Sequence, residues 1–286
     1  MENKITNGLQ KETGINLNIG TYNIRNVTDR YEERKEALKE TIEKMDCDIL
    51  GLQEVSFDIK NDQTVFLNQD SKYIVLKAPL QIPFKHSNPN APKCFNIDGN
   101  AVFVKKSFYD EYIDSYESKV LHLNPYRNVH LVRFTMKNKK EFIFINTHLH
   151  HVIQDSHIRK EQINQIFIWL SILYPSNTDL IIFVGDFNMG LVEVENYNLF
   201  MEKGYYSAFK KINGEEPKKT FPTGIKCETM DTDPDLTTDY IFIFDCNNHV
   251  KHEHVTIFGD KCVNEDNTLY PSDHYAIVVK SLVLLY

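Results

Sequence analysis

The amino-acid sequence predicts an α+β fold: two packed β-sheets with helices on their outer faces. Strand-like runs outnumber helical periodicities, and several follow one another directly, which a simple doubly wound sheet does not accommodate. The chain is also large enough. Its 286 residues should fold to roughly 13,000 Å² of surface from about 49,000 Å² unfolded, leaving a substantial core. Eleven glycines and ten prolines form no linker-like segment, so the simplest organisation is an extension over 1–15 and one domain over 16–286.

Residues 17–22 alternate apolar and polar side chains, as a half-buried strand does. Tyr31, Leu38, Ile42 and Met45 recur at helical spacing with Glu and Lys between them, predicting an amphipathic helix over 30–46. The run 48–55 (DILGLQEV) is a short apolar strand with Glu54 at its end. Four prolines make 79–98 a loop. Strands follow at 101–104, 129–136 and 141–147, the last two joined by a turn at 137–140 into a hairpin. Ile158, Ile163, Ile166, Leu170 and Leu173 form one face of a second helix. A buried strand at 180–184, a helix at 195–203 and strands at 240–244 and 275–284 complete the pattern, with 211–238 as a long irregular loop.

Forty acidic against 32 basic side chains give a net charge of −8, which argues against coating nucleic acid by bulk charge and leaves a local basic groove open. No apolar run reaches the 18 or so residues that a transmembrane helix needs; 276–286 is short and interrupted by Lys280 and Ser281. The start has no apolar stretch of signal-peptide length. Five cysteines (Cys47, Cys94, Cys227, Cys246, Cys262) are odd in number and form no CxxC pair. They read as free thiols in a reducing compartment, so an intracellular protein, cytoplasmic or nuclear, is expected.

Polar residues of few types recur at the strand ends: Asn23, Glu54, His148, Asp186, Asn188, Asp239, Asp273 and His274. A hard divalent cation takes carboxylate oxygens, and Glu54, Asp186 and Asp239 supply them. His148 and His274 can bind an anionic oxygen or move protons near neutral pH. Each has a bland reading too. A Glu ending a strand is usually solvated, and an Asn after a strand is usually a turn residue. Arg127 is either a phosphate clamp or a surface arginine. His150 and His151 read as exposed loop side chains rather than zinc ligands.

Taken in order, TYNIR, LQEV, GNAVF, NTHLH, GDFN, TDYIF and PSDH, from 21–25 to 271–274, resemble the endonuclease/exonuclease/phosphatase superfamily with its DNase I-like fold. The resemblance spans about 17–284. It implies a four-layer α/β/β/α sandwich with a metal-dependent phosphodiesterase site at one edge, using Mg²⁺ or, in its place, Mn²⁺. It further implies that Glu54 binds the metal with Asn23 beside it, and that Asp239 helps hold the metal or a catalytic histidine. Asp186 and Asn188 would orient water and phosphate, Asp273 would orient His274, and His148 matches the second histidine of several branches. Asn23, Asn100 and Arg127 fall among the implied substrate contacts. Asp186 and His274 remain rival bases. Arg25 stands where the abasic-site endonuclease branch carries an acid, so a single metal is expected. The extended inositol-phosphatase signatures are not evident.

DYIF with PSDH is similar to the deadenylase, nocturnin and Angel branch, which implies RNA, single-stranded nucleic acid or nucleotide phosphates as substrate. Residues 220–235 resemble uncharacterised plant and microbial members and are expected to border the cleft. Phe187, Phe221 and Tyr126 are available for base stacking, though each is more readily a packed residue. Lys85, His86 and Lys93 could form a basic rim or a solvated loop. The alternative is a phosphatase or a phospholipase C-like, sphingomyelinase-like hydrolase of a small phosphate ester or lipid head group. A catalytically dead binding module is the third reading, and competent residues at every motif position count against it. No protein partner can be inferred. Asn26-Val27-Thr28 matches the glycosylation pattern, but a glycan there would block the cleft beside Asn23, so the match is read as coincidence.

Overall fold

A computed structural model of the protein describes residues 14–82, 97–174, 178–227, 234–247, 250–251 and 254–284. The chain begins with β1 (Ile15–Asn23), α1 (Tyr31–Met45), β2 (Ile49–Ser56), α2 (Gln63–Leu67), β3 (Tyr73–Pro79) and β4 (Asp98–Lys105). It continues through α3 (Lys106–Tyr112), β5 (Ile113–Asn124), β6 (Arg127–Met136), β7 (Glu141–His148), α4 (Ser156–Leu173) and β8 (Leu180–Asp186). Next come α5 (Val194–Glu202), β9 (Tyr205–Ser207), α6 (Ala208–Asn213) and β10 (Asp239–Asp245). The last elements are β11 (Val250–Lys251), β12 (His254–Phe258) and β13 (Ala276–Leu284).

One sheet runs β11-β13-β1-β2-β4-β3, with β12 also paired to β13; the other runs β5-β6-β7-β8-β10-β9. Both are mixed. β1 pairs parallel with β2 and β7 parallel with β8, each through a crossover helix, and the neighbouring pairs are antiparallel. Ile19, Ile49, Val102 and Val104 of the first sheet meet Val132, Phe134, Phe144, Ile182 and Val184 of the second in the central core. On the outer face of the first sheet, Leu38, Ile42 and Met45 of α1 cover Tyr22, Leu50, Leu52 and Phe103. Ile163, Ile166 and Leu170 of α4, with Phe200 of α5, cover Val129, Ile143, Ile145, Phe183 and Phe242 of the second. These are the four layers of the DNase I-like sandwich.

The sheets approach closely at Gly51 and Val184, below the strand ends that carry the polar motifs. A Cβ on Gly51 would lie 2.5 Å from a Val184 methyl, so only glycine fits there. Around this point the core is polar. Gln53 Nε2 donates to Asn146 Oδ1 (2.6 Å), and Asn146 Nδ2 donates to the carbonyls of Leu52 and Ala101 (2.9 Å each). Asn100 Nδ2 donates to Asn128 Oδ1 (2.7 Å), and Asn128 Nδ2 to the Ala78 carbonyl (2.8 Å). Buried amides paired in this way fix one register between the sheets, because any slip would strand them.

The predicted elements are present with small shifts in their bounds. β4 opens at Asp98, three residues before the expected 101, and β3 ends at Pro79, where a loop was expected to begin. β5 was not anticipated: it is an edge strand whose residues are mostly exposed, so it carries little apolar periodicity. α6 lies partly within the expected loop 211–238. Lys85, His86 and Lys93 of the expected basic rim lie outside the described residues.

Candidate active site

The strand ends that the motifs mark converge on the carboxylate of Asp186, at the end of β8. Its Oδ2 accepts from Asn23 Nδ2 at 2.9 Å and lies 3.6 Å from both His148 Nε2 and His274 Nε2. Its Oδ1 accepts from the Asn188 backbone N–H at 3.0 Å. Asn188 (φ 51°) in turn donates its side-chain amide to the Leu149 carbonyl (3.1 Å), tying the loop after β8 to the loop after β7. Gly185 holds the strand end in place: it sits at φ 152°, and a Cβ there would lie 2.1 Å from the Thr147 carbonyl oxygen. The glycine of GDFN is therefore a steric requirement of the parallel β7–β8 pair.

On one side of Asp186 stands an acid–imidazole relay. His274 Nδ1 lies 2.9 Å from Asp239 Oδ2, at the start of β10, while its Nε2 faces Asp186. This corrects the expectation for Asp273. Asp273 turns instead to Arg25, 3.1 Å from its guanidinium, and to Ser272 Oγ. Burial opposes charge on His274, but Asp239, Asp186 and Asp273 together raise its pKa to about 10, so it is an imidazolium at neutral pH. The Phe221 ring packs on it with centroids 4.7 Å apart. Burial raises the Asp186 carboxyl, against the pull of His274. His148 is held well below its ordinary value by burial and by Arg127 and His274, and so is neutral. The loop expected to border the cleft buttresses the relay: Thr220 Oγ1 accepts from the Thr238 and Asp239 N–H groups (3.0 and 3.2 Å), and Thr223 Oγ1 donates to the Ser272 carbonyl (2.8 Å).

On the other side stands Glu54, near the end of β2 and only partly buried. Its Oε1 accepts from Asn23 Nδ2 at 3.1 Å, and Asn26 Nδ2 lies 3.5 Å from its Oε2. One asparagine amide thus joins Glu54 to Asp186. The Asn23 Oδ1 accepts from the Arg25 N–H (3.0 Å). The donor set suits a hard cation: the Glu54 carboxylate has only amide partners among the described residues and keeps lone pairs for a metal. Ligand atoms of Asp186, Asp239 and His274 also lie within 4.8 Å of one another. An imidazolium bonded to a carboxylate is a poor metal ligand, however, and Asp239 Oδ2 already accepts from Thr238 Oγ1 (3.1 Å) as well. Asp239 realises the histidine-holding alternative; its Oδ1 is buried and unpartnered.

Two expected substrate contacts are otherwise engaged. Arg127 is buried; its guanidinium donates to the Leu149 and Tyr126 carbonyls (2.7 and 2.8 Å) and meets His151 Nδ1 at 3.2 Å, so it braces the loop after β7, with its charge near Glu54 and Asp186. Asn100 is 2% exposed and belongs to the polar seam between the sheets. Phe187 and Phe221 are packed as expected, whereas Tyr126 is 45% exposed beside Arg127. Asn26 is buried with its amide between carboxylates, which closes the glycosylation pattern to any glycan.

Sequence reasoning missed three supports. Asp98 is buried at the start of β4, its Oδ2 3.2 Å from Asn26 Nδ2. Arg34 of α1 is fully buried and donates to six carbonyls, those of Ile24, Arg25, Asn26, Thr28, Asp29 and Pro271. Arg159 of α4, equally buried, donates to the carbonyls of His150, Val152 and Ile153 and pairs with Glu193. Both arginines sit among Glu and Lys on helices, where a charged side chain is read as solvated. Their one signal is position: each is the fourth residue of its helix.

The family model for the Endonuclease/Exonuclease/phosphatase family matches residues 20–274. Compared by sequence with curated proteins, the chain has no significant match. Among solved structures it is similar to truncated TDP2 of Caenorhabditis elegans, at 19% identity over 94% of this chain and 98% of that one, with a TM-score of 0.69. It is similar to the human nocturnin catalytic domain with bound sulfate, at 21% identity over 94% of each chain and a TM-score of 0.67. It is also similar to a mannosyl-6-phosphatase of Bacteroides thetaiotaomicron, at 19% identity over 92% of this chain and 98% of that one, with a TM-score of 0.65.

Proposed function

The chain belongs to the endonuclease/exonuclease/phosphatase family of phosphoester-hydrolysing enzymes, and we propose that it is a Mg²⁺-dependent phosphodiesterase, nuclease-like, acting on RNA, single-stranded nucleic acid or nucleotide phosphates. The observation that carries this reading is the position of Asp186, bridged to Glu54 through Asn23 and facing two imidazoles. Glu54 would hold the cation, with Asn23 fixing its carboxylate; bound there, Mg²⁺ supplies a Lewis acid for the phosphoryl oxygens. Arg25 already places one positive charge beside Glu54 and Asp273, which fits a single-metal site.

The remaining work falls to the chain's own groups. The imidazolium of His274, held by Asp239, donates from Nε2 toward a phosphoryl oxygen and stabilises charge as it develops. Asp186 accepts the proton of, or aligns, the attacking water; its raised pKa suits a group that must take a proton near neutrality. His148, neutral, offers a hydrogen bond without adding charge. Tyr126, exposed in the β5–β6 turn beside Arg127, is the aromatic side chain that would stack a nucleobase on this reading. Cys47, Cys246 and Cys262 are thiols, and among the described residues no helix is long and apolar enough to cross a membrane; both fit a cytoplasmic or nuclear setting.

Labelled single-stranded RNA, duplex DNA, nucleotide phosphates, sphingomyelin and a sugar phosphate, tested with Mg²⁺ and with EDTA, check this. Turnover of a nucleic acid or nucleotide, lost in EDTA and in Asp186→Ala, supports it. Turnover of sphingomyelin or the sugar phosphate alone would move the assignment to the head-group or small-ester hydrolases. Binding without turnover on any of the five would mark a dead module.

A further inference from the structure

We propose that Asp98 is a positioning residue for Glu54, acting through the side-chain amide of Asn26; the inference rests on the metal reading of Glu54 given above. The amide nitrogen of Asn26 lies 3.2 Å from Asp98 Oδ2 and 3.5 Å from Glu54 Oε2, so one NH₂ group is shared between two carboxylates. Asn26 cannot swing away. Its Oδ1 accepts from the Thr28 N–H (2.8 Å), its carbonyl from Gln63 Nε2 (2.7 Å) and Arg34 (3.0 Å), and its own N–H donates to the Glu54 carbonyl (2.8 Å). Both Asn26 (φ 32°) and Glu54 (φ 52°) occupy the left-handed region, a conformation that persists only where its surroundings impose it.

Asp98 otherwise has no evident occupation. It is 5% exposed, pairs with no cation among the described residues, and its Oδ1 is buried without a partner. A carboxyl so placed is costly to bury, and the polar seam does not need it, since Asn100 makes those contacts. Its place in the fold suggests what offsets the cost. Asp98 opens β4 as Asp239 opens β10, and each of these strands pairs antiparallel with a strand that carries a site carboxylate: Asp239 lies opposite Asp186 itself, and Asp98 opposite Ser56, two residues beyond Glu54. Asp239 holds His274, which faces Asp186; Asp98 holds Asn26, which faces Glu54. Burial and the Glu54 charge push Asp98 up to about 8, which suits a group acting through a hydrogen bond, a part that asparagine can imitate.

The test is Mn²⁺ binding to the full-length, metal-freed protein by titration calorimetry, with melting temperatures recorded beside it. Asp98→Ala and Asn26→Ala should each weaken Mn²⁺ binding by about tenfold, as loss of a ligand's own support does. Together they should cost no more than either alone, and neither should add to Glu54→Gln. Asp98→Asn, which keeps shape and hydrogen bond, should return to within about threefold of wild type. Asp98→Ala binding at wild-type strength, additive losses, or an asparagine variant no better than alanine would each overturn the relay while leaving Glu54 as ligand. A wild-type protein that binds no Mn²⁺ would overturn the metal reading and the relay together.

Discussion

The β1–α1–β2 and β7–α4–β8 halves of the sandwich are built alike and equipped differently. In each, a polar side chain ends the first strand, Asn23 or His148, and the helix begins eight residues later at Tyr31 or Ser156. In each, the fourth helical residue is a buried arginine, Arg34 or Arg159, that collects the carbonyls of the intervening loop. In each, the second strand carries a carboxylate near its end, Glu54 two residues before the end of β2 and Asp186 at the end of β8. The charges around these carboxylates diverge. Asp186 is buried and balanced by an imidazolium that Asp239 holds, whereas Glu54 is open to solvent on one side, bonded by the amides of Asn23 and Asn26, with the Arg25 charge beside it and a second carboxyl, Asp98, behind. On the function proposed above, one scaffold used twice would yield a proton-handling half and a cation-handling half, joined at the Asn23 amide.

The largest expected effect separates the halves by chemistry. Asp186→Ala should lower kcat by about 10³-fold or more at any metal concentration. Glu54→Gln should instead lose activity in a manner that raised Mn²⁺ partly restores. Equal, metal-insensitive losses in steady-state titrations would erase the division. Next come the buried arginines. Arg34→Met and Arg159→Met should each destabilise by about 3–5 kcal/mol in urea melts, since each strands buried carbonyls and Arg159→Met also leaves Glu193 unpaired. Adding Glu193→Leu should recover part of the Arg159→Met loss. No side-chain change should restore the hydrogen bonds lost in Arg34→Met, whose acceptors are all backbone carbonyls.

Acidity sharpens the contrast further. His274 has a raised folded pKa, so its contribution to stability is complete below about 6.5 and disappears as pH rises through about 10. Asp98 is raised as well, so its contribution is complete below about 4 and is lost as pH rises toward about 8. In EDTA, Asp98→Asn should flatten the stability profile between about pH 4 and 8, and Asp239→Asn between about pH 6.5 and 10, by about 1–2 kcal/mol each. Profiles that change in the opposite windows would break the assignment. The smallest effect is at the β5–β6 turn: Tyr126→Ala should raise KM for single-stranded RNA by about five- to tenfold, roughly one stacked base, with kcat unchanged.

The sandwich and the strand-end residues were legible because both rest on local pattern. Alternation marks β1, a short apolar run marks β2, helical spacing marks α1 and α4, and polar side chains at strand ends interrupt the apolar runs. What was not legible depends on contacts between distant segments. Asp273 neighbours His274 in sequence, yet Asp239, 35 residues away, holds the imidazole. Asn100 carries the right chemistry for substrate but is held in the inter-sheet seam, and Arg127 is buried against the loop carbonyls after β7. Asp98 was hidden at the end of a proline-rich stretch read as loop. β5 was invisible for a plain reason: an edge strand facing solvent has no need of an apolar face.

The division between the halves can be tested directly by locating the cation. In a crystal soaked with Mn²⁺, anomalous scattering should place the ion against the Glu54 carboxylate, with His274 still bonded to Asp239. An ion seated instead among Asp186, Asp239 and His274, with none at Glu54, would contradict the account.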